Sequence, residues 1–280
     1  MANPSGDPVP AIAEAEASGE IADLYEDIRA TLGVPVVNLI WRHLAVFPGA
    51  LSWAWTSLRP LYASGAITAQ AGALRAGLDV PHLPGLSAPA LAAAGLSRGD
   101  LARIRMIQTS YERSNALNII ALGALLARLD GIPISARAPV PHLSDDPQPV
   151  AGEMPLLLTL DAMTTDVRAL VEDLNRIGGR DEILASMYRH LAHWPVYLAL
   201  LHTLLAPFAA DGRLEPLIKG VITEGRARAA QIAPGLAHPE AALRPSAEAD
   251  VHAALTQFID EPIGKMITIV PLIQNALPVE

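Results

Sequence analysis

The chain has 280 residues, 51% of them hydrophobic, enough to bury a large core in one or two domains. A formal charge of −9 and a pI near 5.3 offer no basic footprint for nucleic acid. Zero cysteines exclude disulfides, thiolate metal sites and a cysteine nucleophile.

The opening residues, 1–7, have neither the basic start nor the apolar run of a signal peptide. The longest apolar windows, 116–129 and 196–210, are interrupted by Asn118, Arg128, His202 and Pro207 and are too short to span a bilayer. A soluble cytoplasmic protein with no membrane contact is therefore expected.

Ala, Leu and Arg dominate and β-branched runs are scarce, so the chain reads as all-α. After a loose lead-in over 1–18, Ile21, Leu24, Tyr25, Ile28 and Leu32 recur at helical spacing, and Gly33-Val34-Pro35 stops that helix. The next helix carries Trp41-Arg42-His43 and breaks at Phe47-Pro48-Gly49. Another follows from Ala50 to Ala63, closed by Gly65. Pro81, Pro84 and Pro89 mark a loop. Ser97 caps a helix expected to end near Thr109, and Ser114-Asn115 opens a second, apolar one ending near Leu129. Six prolines between 131 and 159 predict an extended connection. Beyond it, helices are expected around the Arg189 motif, over 196–210, 214–232, 247–260 and 262–276.

The second half repeats the first. At one offset of 147, Arg42, His43, Leu44, Ala45, Pro48 and Leu51 meet Arg189, His190, Leu191, Ala192, Pro195 and Leu198. Thr56, Leu58, Pro60, Ala63 and Gly65 meet Thr203, Leu205, Pro207, Ala210 and Gly212. A register that persists over some two dozen residues is an internal repeat. The expected architecture is two tandem repeats of five or six helices, 19–130 and 160–280, packed as a pseudo-dimer around a central cavity.

Several residues carry chemistry under one reading and structure under another. Arg42 and Arg189 either satisfy buried carboxylates and helix ends or clamp a ligand carboxylate, for which a guanidinium fork is well shaped. His190 and His193 share a helix face at a spacing compatible with a metal, yet no third ligand accompanies them, so structural histidines and no metal are expected. Asn115 either caps a helix or orients a water or ligand. The doublets Glu26-Asp27 and Glu172-Asp173 fit a solvated face.

Short pieces in a specific order also carry a resemblance. Ser18-Gly19-Glu20, Tyr25-Glu26-Asp27-Ile28-Arg29, Phe47-Pro48-Gly49, Leu160-Asp161-Ala162, Trp194-Pro195, Leu205-Ala206-Pro207 and Arg226-Ala227-Arg228 are among its carriers. Together, from about Gly19 to Ala276, the chain resembles the group I 2-haloacid dehalogenases. The resemblance implies an all-α pseudo-dimer around a buried cavity and no cofactor. It also implies that an aspartate of the second repeat activates a water positioned by an asparagine of the first. That water displaces halide at C2 with inversion and without a covalent ester.

Carried over, the asparagine falls on Asn115 and the serine before the aspartate on Ser186. The aspartate itself falls on Met187. A cavity tryptophan falls on Val36, its phenylalanine neighbour on Leu39 and a late tyrosine near Ile259, while Asn38 adds a polar group. A thioether cannot take a proton from water, and losing a general base forfeits roughly 10²–10⁴-fold in rate. The nearest upstream acids, Asp181 and Glu182, stand five or six residues away. Losing two large aromatics predicts a widened pocket unless a neighbour such as Trp41 fills it. The expected function is either haloacid hydrolysis or a diverged reaction on another small, mostly apolar substrate. The alternative, from a different class, is a non-catalytic small-molecule binder. The expected partner is a small molecule such as a small carboxylic acid, and a homodimer is compatible with these readings.

Overall fold

A computed structural model describes residues 7–132 and 149–278. The described residues contain helices and no strand, in the order α1 (Glu20–Leu32), α2 (Leu39–Leu44), α3 (Ala50–Ala63), α4 (Ala66–Ala76), α5 (Ala88–Ala93) and α6 (Arg98–Leu129). Then follow α7 (Thr165–Arg176), α8 (Ser186–Leu191), α9 (Pro195–Ala210), α10 (Leu214–Ile232), α11 (Pro245–Phe258) and α12 (Gly264–Asn275). No helix among them is long and apolar enough to cross a membrane. The two short helices α2 and α8 stand at the same 147-residue offset as the sequence repeat and are both six residues long.

The centre of the fold is α6, which packs against α4, α8, α10, α11 and α12. Its start is fixed locally. Ser97 Oγ accepts from Asp100 N at 3.1 Å and Asp100 Oδ2 accepts from Ser97 N at 3.0 Å, a reciprocal cap that satisfies two of the donors a helix N-terminus leaves open. The helix then runs unbroken for 32 residues. The break expected near Thr109–Ser114 is absent. Ser110 and Ser114 compete with helix only where their side chains can find alternative backbone partners, and here tertiary burial on both faces overrides that local preference. Asn115 is consequently a mid-helix residue, so capping does not account for it.

Close approach of α6 and α10 depends on two glycines. A Cβ on Gly123 would lie 2.7 Å from Ala229 Cβ, and one on Gly225 would lie 2.7 Å from Ile119 Cδ1. The helices around α4 and α5 escaped the sequence reading because Ala-rich stretches carry a weak apolar period. The two helices expected over 247–260 and 262–276 form one run, joined by a π turn at Ile259–Ile263 that holds Pro262. Proline has no N–H to donate, and a π turn absorbs the missing bond without ending the helix.

The lead-in is tied down from Asp7 onward. Ile12 N donates to Arg42 O at 3.1 Å, and Tyr25 Oη donates to Ile12 O at 3.0 Å. His43 Nδ1 lies 2.6 Å from Pro10 O. Of the expected proline-rich connection, 133–148 lie outside the described residues. At its far end Val150 N donates to Gly33 O at 3.0 Å.

Candidate functional site

The starts of α2 and α8 face each other across a small chamber. Asn38, Leu39 and Ile40 line one side, and Ala185, Ser186 and Met187 line the other. These are the same three positions of the two sequence copies, at the offset of 147. Tyr111, Asn115 and Asn118 of α6 form a third wall, a stripe at i, i+4 and i+7 on one helical face. Phe258, Pro262, Ile263 and Met266 close the fourth through the π turn. The chamber measures about 40 Å³, room for about three waters.

Its polar groups are amides and hydroxyls. Trp41 Nε1 donates to Asn118 Oδ1 at 3.1 Å, and Asn38 Nδ2 donates to Ser114 Oγ at 3.0 Å. Three groups remain without a hydrogen-bond partner among the described residues: Asn115 Nδ2, Asn118 Nδ2 and Asn38 Oδ1. Leaving a buried polar group unsatisfied costs about 1–3 kcal/mol. The chamber thus offers two donors and one acceptor to whatever enters. None of its fifteen lining residues is Asp, Glu, Lys, Arg or His.

Behind the chamber wall lies a charged layer. Tyr111 Oη bonds His190 Nδ1 at 2.8 Å, and the Ser186 hydroxyl also hydrogen-bonds Tyr111. Burial, with the Arg189 charge next to it, pulls His190 down to about 3, so its imidazole is neutral near pH 7. Burial likewise pushes the Tyr111 phenol well above its usual range. The Asp7 carboxylate is fully buried between the two repeated arginines. A larger outer cavity of about 760 Å³ adjoins this layer and shares Asn38, Leu39, Tyr111 and Ser186 with the chamber.

Comparison with known proteins fits this arrangement. A configuration-inverting 2-haloacid dehalogenase of Alcaligenes xylosoxydans xylosoxydans is 31% identical over 243 residues, covering 81% of this chain and 77% of that protein. The chain belongs to the configuration-inverting 2-haloacid dehalogenase family. A second such dehalogenase, from Pseudomonas sp. (strain 113), is 29% identical over 209 residues, 68% of this chain and 64% of its own length. A solved D-2-haloacid dehalogenase mutant in complex with D-2-CPA superposes with a TM-score of 0.77 at 20% identity, covering 96% of both chains. The complex of a D-2-haloacid dehalogenase with L-LA gives 0.75 at 19% identity, with the same coverage. These two likenesses establish the all-α dehalogenase fold. No family model matches the sequence.

Within this dehalogenase fold the sequence-predicted residues separate into groups. Asn115, Asn38, Leu39, Ser186 and Met187 come together in the chamber. Val36 does not; it lines the outer cavity. Ile259, expected at the cavity, is fully buried in the π turn but lines neither space, and its neighbour Phe258 faces the chamber instead. Met187, Met266 and Phe258 line the chamber, whereas Trp41, which packs against Trp55, does not.

Arg42 borders the outer cavity only, and Arg189 lines neither space, so neither arginine reaches into the chamber. Asp181 and Glu182 are exposed and do not line it, and Glu182 accepts from Gln257 at 3.2 Å. His190 and His193 diverge, the latter exposed with Nε2 2.8 Å from Leu156 O. No cluster of three or more metal-binding side chains occurs among the described residues. Asp27 accepts from Trp55 Nε1 at 2.7 Å, and Glu172 pairs with Arg168 at 2.9 Å, so neither doublet serves the chamber.

Two polar wall residues, Tyr111 and Asn118, were missed, and so was Asp7 in the charged layer behind the wall. Tyr111 and Asn118 stand at i−4 and i+3 from Asn115, a spacing visible in the sequence once the helix is known to be continuous. Asp7 carried no signal, because pairing it with Arg189 requires a contact across 182 positions.

Proposed function

We propose that this chain keeps the family's small-molecule chamber and binds in it a compact, mostly apolar molecule carrying one carbonyl or carboxyl group. On this reading it does not release halide from 2-haloacids by a carboxylate-activated water. The observation that carries it is the chamber wall itself. Met187 stands fully buried where the resemblance puts the aspartate, and no Asp, Glu, Lys, Arg or His lines the space. A thioether neither accepts a proton from water nor stabilises the hydroxide that would form. The amide donors of Asn115 and Asn118 suit a ligand oxygen, and the acceptor Asn38 Oδ1 suits a ligand hydroxyl or protonated carboxyl. Unbranched methionines at 187 and 266 can swing to admit more than the resting volume allows. The same reading takes the molecule as two repeats, 19–130 and 160–280, that enclose the chamber with matched triplets of residues.

The test is halide release from both enantiomers of 2-chloropropionate and from 2-bromopropionate, read beside ligand-induced thermal shifts. Saturable shifts that Asn118→Leu abolishes, with halide release at the buffer background, are the expected result. Turnover by the wild-type chain would overturn the reading.

A second reading, of a diverged enzyme, is favoured by one contact. The neutral His190, reached through Tyr111 Oη, is a proton acceptor one residue removed from the chamber. Its depressed pKa makes it a weak base, so it serves only a substrate whose proton is already acidic. His190→Gln distinguishes the two, since it leaves binding intact and removes any turnover.

A further inference from the structure

The two repeated arginines hold a carboxylate that belongs to neither repeated motif. Arg42 pairs with both oxygens of Asp7, through Nη1 on Oδ2 and through Nη2 at 3.4 Å from Oδ1. Arg189 Nη1 lies 2.7 Å from Oδ1, with both side chains fully buried. Each guanidinium is also anchored at its other edge by the backbone. Arg189 Nε donates to Leu158 O at 2.7 Å and Arg42 Nε to Val37 O at 3.3 Å. The two forks are therefore set in place independently of Asp7, with their Nη edges converging on one carboxylate. Preorganised guanidiniums of this kind recognise carboxylates by paired, charge-assisted bonds.

The occupant itself sits outside any helix, in the lead-in before α1. Asp7 and Arg42 also line the outer cavity, whose about 760 Å³ falls in the range of small-molecule sites. Apolar side chains of Val36, Val37, Leu39 and Leu157 line that cavity beside the carboxylate. The chemistry of the occupant, a carboxylate on one methylene, is that of acetate. The neighbouring space suits a short aliphatic tail attached to such a group.

We propose that Arg42 and Arg189 form a receptor for a short aliphatic monocarboxylate, and that Asp7 is its resident intramolecular ligand, displaced when the free acid binds. The site is separate from the chamber and shares only part of its wall, so it stands or falls apart from the chamber reading. As a tethered competitor, Asp7 presents a roughly millimolar effective concentration. Wild-type protein accordingly takes up the free acid only well above that level, and loss of the Asp7 carboxylate exposes the site.

The experiment uses the full chain with acetate and propionate as probes, and chloride at equal ionic strength as the control. Asp7→Gly is expected to melt lower than wild type and to regain its melting temperature saturably with acetate or propionate. Half-saturation is expected at a concentration at least about tenfold below that for wild type. Adding Arg42→Gln to Asp7→Gly should remove the effect. Equal restoration by chloride, or a folded Asp7→Gly chain that binds neither acid, would overturn the proposal. Hydrogen exchange on the wild type gives an independent reading should Asp7→Gly not fold. Propionate well above the millimolar range should speed exchange at the Ile12 amide, which now donates to Arg42 O. Unchanged exchange there would equally sink the proposal, and Asn118→Leu should leave both results as they are.

Discussion

The helices α2 and α8 are matched in length, position and motif, yet they do different work. Both bury an Arg-His-Leu run, and both direct their arginine onto the same Asp7 carboxylate. Their preceding triplets diverge: Asn38-Leu39-Ile40 puts one amide and two branched aliphatics into the chamber, whereas Ala185-Ser186-Met187 puts a hydroxyl and a thioether there. The histidines diverge too. His43 is fixed by the Pro10 carbonyl and stacks on Phe258 at 5.6 Å, while His190 is fixed by the Tyr111 hydroxyl. The repeated arginines share one buried partner, whereas the unrepeated triplets line the chamber with different groups.

The strongest way to break this symmetry is to place a carboxylate in one triplet only. Met187→Asp should raise halide release from 2-bromopropionate to about 10²-fold or more above background, within the range a positioned general base supplies. Ile40→Asp, the equivalent change in the first copy, should give no such gain, because Ser186 and the Tyr111–His190 pair stand on the other side. A folded but inert Met187→Asp chain would show that the chamber no longer accepts haloacids.

Next in size is the shared ion pair. Arg189→Ala should cost about 3–5 kcal/mol of stability in urea unfolding, since it takes one guanidinium away from a buried carboxylate. An effect under 1 kcal/mol would mean that Arg42 alone suffices to hold Asp7.

The α6–α10 contact, which neither triplet touches, should respond as an ordinary packing site. Gly123→Ala should destabilise by about 1–3 kcal/mol, and adding Ala229→Gly should restore most of it.

The effect that vanishes at neutral pH concerns the two histidines. The folded-state pKa of His190 lies near 3, below its unfolded value of 6.5, so the unfolded chain binds the extra proton between those values. Stability contributed by neutral His190 is therefore present above about pH 6.5 and lost as pH falls toward 3. The slope is at most about 1.4 kcal/mol per pH unit for one group. His190→Gln should flatten that acid limb in urea midpoints measured across the window. His43, pulled down by burial but held by the Pro10 carbonyl, contributes in the same direction.

Much of this was legible in the sequence. The helical class, most boundaries of α1, α3 and α10, and the convergence of Asn115, Ser186 and Met187 all followed from period, caps and resemblance. What escaped has a physical reason in each case. The unity of α6 was hidden because Ser110, Ser114 and Asn115 have helix-breaking preferences that only tertiary burial overrides. Ile259 itself is buried in the π turn, and the residue before it, Phe258, lines the chamber. The partner of the two arginines was hidden because nothing local in the sequence marks Asp7 as a buried acid.

Since each residue turns an α-helix by about 100°, the stripe of Tyr111, Asn115 and Asn118 keeps its aim only while the count of residues from Ser97 onward is preserved. Losing or gaining a single codon between Arg98 and Tyr111 would act like a slipped gear: the shaft would still turn inside its greasy housing, but its teeth would no longer meet the ligand. Sequence drift in this segment is thereby confined to substitutions, and length changes are pushed outward to the connections on either side.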